Sequence, residues 1–384
     1  MPGFGPLLNI TYHIYMKILY FFAEYRGDFM FQWQRLHFID ELSRHNIKFD
    51  ILNPLDFDSL EKSYDKLLKI MRTGSYDLFF CCNTLTLNKD IIYEIKHMGI
   101  PTVCFRPDNL LIPFFDKELA PVFDLVWLTS KETEYLYKQW GVKYFFAPYA
   151  ANPYTFKPEF STLIRKICFI GTPYGSRSNL INSILNCNTS IDVFCKCNES
   201  IIDNEKFTPR CQVPTISRKD VFLNHLSFTE GRKILWANFI NRFQEHQLHE
   251  QNPGLTMLPK VPFEELNTIY SKYALSLSST SARNTDILSN PVKVANLRTF
   301  EIPMAGGLQF CRYSEELSQY FEDGKEIVFY RNKEELMDKS IYYTKNAKDS
   351  EIAYMKQAAR KRAETEHTWM NRFKIAFDLL NVKY

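Results

Sequence analysis

Net charge is nearly absent from this 384-residue chain: 47 basic side chains stand against 44 acidic ones, a balance of +3. That excludes nucleic-acid recognition by bulk electrostatics and leaves only a local basic patch open. Glycine (13) and proline (18) are too scarce for a collagen-like or low-complexity protein. No later segment reaches about 18 uninterrupted apolar residues, which argues against an integral membrane protein. Paired C-x₂-C spacing is missing as well. The nine cysteines are odd in number and scattered, with Cys81 and Cys82 adjacent in an apolar run. Neither a secreted disulfide framework nor a zinc site drawn from Cys187, Cys195, Cys197 and Cys211 is supported. His225, His246 and His249 also lack metal-ligand pairing. No bound metal is expected, and a reducing cytoplasm is the expected compartment.

Aromatic residues, by contrast, are plentiful: 32 Phe, 22 Tyr and 5 Trp, 15% of the chain. Much of this share falls in apolar runs that read as strands. Phe105, Phe114, Phe115, Tyr149 and Tyr174 fall near loops, where aromatic faces suit sugar rings and bases. The hydrophobic share of 45% and charged share of 24% are those of a globular protein, and the length predicts two domains.

The first residues, MPGFGPLLNITYHIYMKILYFF, are apolar with Lys17 as the first formal charge. A signal peptide needs a basic start and small residues at its cleavage site, and neither is present. Residues 1–15 read as an extension, with Lys17 to Phe22 as the first strand.

From Met16 to Ala151, short apolar runs alternate with amphipathic stretches, the pattern of β-α units around a parallel sheet covered on both faces. Strands are expected at 17–22, 47–52, 76–82, 102–105, 123–128 and 143–150. Helices are expected at 28–45, 59–71, 89–97 and 131–140. A Pro-bearing linker, 152–165, interrupts the rhythm, which restarts with KICFIG (166–171) and a helix at 177–185. Strands at 191–195, 274–279, 307–311 and 326–330 follow, with a helix at 294–302 and an irregular insertion at about 196–254. Residues 16–151 and 166–365 are thus two doubly wound domains, and a helix at 366–384 is free to cross back to the first. This arrangement puts a ligand cleft between the carboxyl ends of two sheets.

Five segments carry a resemblance: GIPTVCFRPDN (99–109), 123–158, CFIGTPYGSRSNLI (168–181), NLRTFEIPMAGGLQF (296–310) and FEDGKEIVFYRNKEEL (321–336). In this order they resemble the CgeB-like glycosyltransferases, GT-B proteins whose C-terminal part belongs to the glycosyl transferases group 1 superfamily. The resemblance implies two Rossmann-like domains, an N-terminal one holding the acceptor and a C-terminal one holding a nucleotide sugar, with no cofactor beyond that co-substrate. The acceptor would be a glycan, lipid-linked glycan or protein hydroxyl, and association with the inner face of a membrane is compatible with it. Two alternatives stay open: a noncatalytic GT-B binding partner and a nucleotide-sugar epimerase.

On the donor side, FIGTPYGSR opens a helix after a strand, so Gly171, Thr172 and Gly175 would bring backbone N–H groups to a diphosphate and Arg177 would pair with it. Glu301 matches the superfamily acid that accepts the ribose hydroxyls, a task suited to two carboxylate oxygens. Arg298 would neutralise the leaving diphosphate, and Asn296, Thr299, Gly306 and Gly307 lie in the same block. Many retaining members carry an acid that contacts the donor sugar eight positions before the Glu301 equivalent; this chain has Lys293, which would contact a donor phosphate instead or stand as a surface lysine. On the acceptor side, Asp108 follows a strand and would act as general base or orienting group, with Arg106 beside it. Arg26, Gly27 and Asp28 form the first β-α loop. The alternative reading for Asp108 is an Asx turn, and for Asp28 a helix N-cap. His367, in EHTW, reads as a capping or packing residue.

Overall fold

The computed structural model describes residues 16–26, 29–82, 84–160, 163–196, 207–244 and 247–384. The expected N-terminal extension, Gly27, Asp28, Cys197 and His246 lie outside the described residues.

Two six-stranded parallel sheets organise the chain. The first contains β1 (Met16–Phe21), β2 (Ile47–Leu52), β3 (Leu78–Cys81), β4 (Thr102–Arg106), β5 (Leu125–Leu128) and β6 (Tyr144–Phe146), in the order β2-β1-β3-β4-β5-β6. The second contains β7 (Ile164–Ile170), β8 (Ile191–Lys196), β9 (Leu255–Pro259), β10 (Tyr273–Leu277), β11 (Gln309–Arg312) and β12 (Val328–Tyr330), in the order β12-β11-β10-β7-β8-β9. The order reverses at β1/β3 and at β7/β10, and a crevice opens at each reversal outside the carboxyl ends of the strands.

The helices of the first domain are α1 (Phe29–Gln34), continued by a π-turn (Arg35–Ile39) into α2 (Asp40–Ser43), then α3 (Leu60–Thr73), α4 (Lys89–His97) and α5 (Glu134–Gln139). Their starts follow local chemistry: the Ser59 hydroxyl accepts from Lys62 N at 3.3 Å and Asn88 Oδ1 from Ile91 N at 3.0 Å, each filling an orphan donor of the first turn. Ser63, Leu67 and Met71, four apart on α3, form its buried stripe. The second domain holds α6 (Ser176–Leu185), α7 (Arg218–Leu226), α8 (Thr229–Asn241), α9 (Leu266–Lys272), α10 (Arg298–Met304), α11 (Glu315–Tyr320) and α12 (Lys333–Ile341), followed by α13 (Asp349–Glu366) and α14 (Trp369–Leu380).

Two elements differ from expectation. The segment read as irregular contains α7, α8 and, just beyond it, strand β9. The helix expected from residue 294 starts at Arg298, because Ala282 N donates to Val292 O and Val294 N to Thr280 O, which holds the preceding chain extended.

α14 packs on the first domain. Phe373 meets Phe38 at 5.5 Å, Phe80 at 5.4 Å and Trp127 at 5.1 Å between ring centroids. The buried Glu41 accepts from Trp369 N at 3.1 Å and Met370 N at 2.7 Å, capping that helix from the other domain. One apolar core therefore runs continuously from Phe38, Phe80 and Trp127 to Phe300, Ile302 and Met304 of the second domain. Phe105 is fully buried in it and forms no cleft wall.

Candidate donor crevice and the facing carboxylate

At the β7/β10 reversal the chain leaves β7 through Gly171, whose φ of 140° and lack of a side chain let Arg298 approach: a Cβ there would lie 3.3 Å from Arg298 Nη2. Arg177, one turn further, lays its guanidinium over the Tyr174 ring at 4.4 Å. Burial, and the neighbouring Arg298 and Arg283, hold its pKa below the ordinary arginine value. Among the described residues none of Arg177, Arg283 and Arg298 has a carboxylate within ion-pair distance. Arg298 instead lies beside the Tyr270 hydroxyl. Around them Arg177 Nε, Ser278 Oγ and Asp286 Oδ1 are buried without hydrogen-bond partners. Mutually repelling cations and the unused donors Arg177 Nε and Ser278 Oγ are costly unless an anion enters, while Asp286, which attracts Arg177, needs a hydrogen-bond donor. Asp286 also lines a cavity of about 260 Å³, together with Ser176, Ser279, Arg312 and Tyr330.

Asn284 occupies the mouth of α6: its Oδ1 accepts from Ser176 N at 3.3 Å, and a side chain on Gly175 would collide with it. Of the predicted loop, Gly171 and Arg177 therefore face the crevice, Thr172 is exposed at its edge, and Gly175 serves the contact with Asn284.

Across the crevice, Asp108 follows β4 with φ 58°, a left-handed turn residue whose carbonyl accepts from Leu111 N at 2.9 Å. The residue is exposed to solvent, although the protein around its carboxylate strips part of its hydration. Burial raises its pKa above the usual aspartate value, against the pull of Tyr149, Arg283 and Arg106. Tyr149 OH stands 3.4 Å from Oδ1. Arg283 thus perturbs both Asp108 of the first domain and Arg177 of the second. Beside this point Leu110 is buried against Ile234, Ala282 and Val292 of the second domain. A more acidic pole lies further along, where burial and then Glu230 and Glu316 raise the pKa of Glu132.

Several predicted residues have other employment. Glu301 Oε1 lies 3.0 Å from His37 Nε2 of the first domain, inside a box where the His37 ring meets Phe156, Phe263 and Trp369 at 5.4 to 6.0 Å. Only its second oxygen is left for a ribose diol. Asn296 donates to Ser279 O at 2.8 Å and accepts from Thr299 N at 3.2 Å, so it fastens the start of α10, and Thr299 is fully buried behind it. Gly306 and Gly307 precede β11 and so lie at the amino edge of the sheet, away from the cleft. Side chains there would strike Pro158 and Ile302 respectively, so close packing is what needs glycine. Lys293 pairs its backbone with Ser281 and holds its ammonium 6.0 Å from the Tyr313 ring.

On the acceptor side, Arg106 is buried, bound to Asp116 at 2.7 Å and to Cys82 O at 3.2 Å. Arg26 grips Asp56 at 2.7 Å and covers the Phe207 ring at 5.3 Å. Neither is offered to a ligand. Arg283, Ser278 and Asp286 went unnoticed in the sequence. Their signal was the polar SSTSARNTD loop at the carboxyl end of a strand, where α/β proteins bind ligands. Among the described residues no three His, Cys, Asp or Glu are grouped to hold a metal, and no helix is long and apolar enough to cross a membrane.

Two parallel doubly wound domains facing one crevice are the GT-B fold. The chain superposes on sucrose-phosphate synthase from Thermosynechococcus elongatus with TM-score 0.56 at 10% identity, over 96% of this chain and 100% of that one. It superposes on Anabaena HepE in complex with UDP and glucose with TM-score 0.56 at 13% identity and the same coverage. For a glycosyltransferase from Rickettsia africae the values are 0.51, 11%, 97% and 100%. Residues 218–378, covering α7 to most of α14, match a family described as glycosyl transferase-like. No curated protein sequence matches the chain.

Proposed function

We propose that this protein is a glycosyltransferase that moves a sugar from a nucleotide-activated donor to a hydroxyl group, without a metal ion. One observation carries the reading: Arg177, Arg283 and Arg298 converge at the β7/β10 crevice with no carboxylate within ion-pair distance among the described residues, opposite a carboxylate of raised pKa on the other domain. Guanidinium groups suit a diphosphate, which each can engage with two N–H donors. Charge builds on that diphosphate as the glycosidic bond to the donor breaks, so cations fixed there stabilise the transition state more than the ground state. In this reading Asp108 takes the acceptor proton, its raised pKa making it a stronger base than a free aspartate. The CgeB-like motifs agree with this reading, and HepE, of the same fold, is bound to UDP and glucose.

Isothermal titration with UDP-glucose, UDP-N-acetylglucosamine and GDP-mannose tests it. At least one should bind, with and without EDTA, and the double change R177A/R298A should weaken binding at least about tenfold, the loss of two charge-assisted contacts. A chain that binds none of the panel overturns the proposal. Lys293, standing where retaining relatives carry an acid, favours a second reading as a noncatalytic binder. Nucleotide binding without release of nucleoside diphosphate in any acceptor mixture would select it, and release or remodelling of the donor with no acceptor at all would select the epimerase.

A further inference from the structure

The hairpin of α7 and α8 carries an apolar face that no described part of the chain covers. On α8, Trp236 and Phe239 are 56% and 50% exposed, and Phe243, in the turn that follows, is 77% exposed. Their rings form a strip, Trp236 stacked on Phe239 at 5.6 Å and Phe239 against Phe243 at 5.3 Å. On α7, Phe222, Leu223 and Leu226 are each about half exposed. Large apolar side chains grouped on two adjacent helices mark an interaction surface, unlike singly scattered ones.

The charges around the strip decide what it meets. At about 100° per residue, Arg232 falls on the Trp236 face of α8, with Lys233 on its flank, and Arg242 directly follows the helix. On α7, Arg218 and Lys219 sit one turn before Phe222 and Leu223 and on the same side. Of the two acids in residues 218–243, only Glu230 turns away. Glu230 is buried and accepts from Tyr135 OH at 3.0 Å, whereas Asp220 is exposed on the flank of the α7 face, where the Ser217 hydroxyl donates to it at 2.6 Å. Five cations and one exposed acid, Asp220, therefore frame an aromatic strip.

We infer that the outer face of α7 and α8 docks on the surface of an anionic lipid bilayer. The aromatic side chains enter the headgroup layer, where a ring that is apolar and polarisable is most stable, and the basic side chains meet lipid phosphates and carboxylates. The inner face of the same hairpin walls the cleft: Ile234 packs on Leu110, and Asn238 Oδ1 accepts from Asn284 at 2.9 Å. Docking would hold the crevice beside the membrane. The inference stands whether or not the protein transfers sugars.

Co-sedimentation with vesicles tests it, using phosphatidylcholine alone and phosphatidylcholine with phosphatidylglycerol, alongside light-scattering mass in the absence of lipid. The full-length protein should sediment with the anionic vesicles only, and the fraction bound should fall steeply between about 0.1 and 0.5 M salt as charges are screened. The variant W236S/F239S/F243S should bind at least about tenfold more weakly, with an unchanged melting temperature because these side chains are already exposed. The charge variant R218E/R232E should lose the preference for anionic lipid. Absence of binding to anionic vesicles, or unchanged binding by the serine variant, overturns the inference. So does a wild-type dimer that the serine variant converts to monomer, which would make the face a contact between copies of this chain.

Discussion

Asp108 and Glu301 show how neighbours set the chemistry of a carboxylate. Asp108 has a raised pKa because the protein around it strips part of its hydration while solvent still reaches it. D108N is expected to lower kcat at least about a hundredfold, the usual scale of lost acid-base catalysis, with donor binding by titration unchanged. In the wild type, kcat should fall as the pH drops through an inflection above the ordinary aspartate value of about 3.9. An inflection at or below that value would assign the proton to another group. Glu301 is a buried partner of His37. E301A, which leaves His37 unpaired between the domains, should cost about 1–3 kcal/mol in denaturant unfolding, and E301Q, which keeps the acceptor, should recover most of it. The presence of both acids was legible in the sequence, Asp108 from its turn and Glu301 from its motif. That Glu301 would turn toward His37, 264 residues away, was not, because no local pattern reports which surface a helix will face.

Among the elements, the start of α14 is the most informative. The sequence marks it with Thr368, whose hydroxyl accepts from Asn371 N at 3.3 Å. Tertiary structure adds Glu41, pushed up by burial to about 7, and His367, pushed down to about 3 by burial and by Arg372. His367 is neutral: its Nδ1 accepts from Arg372 Nη2 at 2.8 Å, and its Nε2 therefore donates to Tyr320 O at 3.2 Å. A histidine whose folded pKa is lowered stabilises above its unfolded value of about 6.5, and that stability is lost as the pH falls toward 3, on the order of 5 kcal/mol in all. A glutamate whose folded pKa is raised acts oppositely, its contribution present below about 4.5 and lost as the pH rises through 7. E41Q should therefore remove the decline of melting temperature between about pH 4.5 and 7 and leave the acid loss intact. A wild type with no stability change below about pH 6.5 would contradict the assignment to His367. The strands and most helices needed no such help. Apolar runs flanked by turn residues define them, whereas α7 and α8 escaped notice because each is apolar on its outward face as well as its inward one.

At the scale of the whole molecule, the two domains share a core, and they are also clasped. Residues of the second domain's insertion dock on the first, with Arg210 N donating to Leu55 O at 3.0 Å and Cys211 buried beside Ala23 and Leu55. Scanning calorimetry should accordingly show one cooperative transition, and two separated peaks would mean that the shared core does not couple the domains. Truncation before Trp369 should abolish that cooperativity, since Phe38, Phe80 and Trp127 would lose Phe373. The sequence by itself determined two doubly wound sheets, because hydrophobic runs of strand length need no distant information to declare that both their faces are covered. It also determined that a glycine-bearing loop joins β7 to α6, because Gly171 and Gly175 lie between a strand-length apolar run and a helix in the sequence itself. Only the tertiary structure decided that Arg283 would join Arg177, that Arg106 would be spent on Asp116, and that Glu301 would latch the domains. Charge is neutralised by whatever lies within a few ångströms, and sequence distance is silent about that.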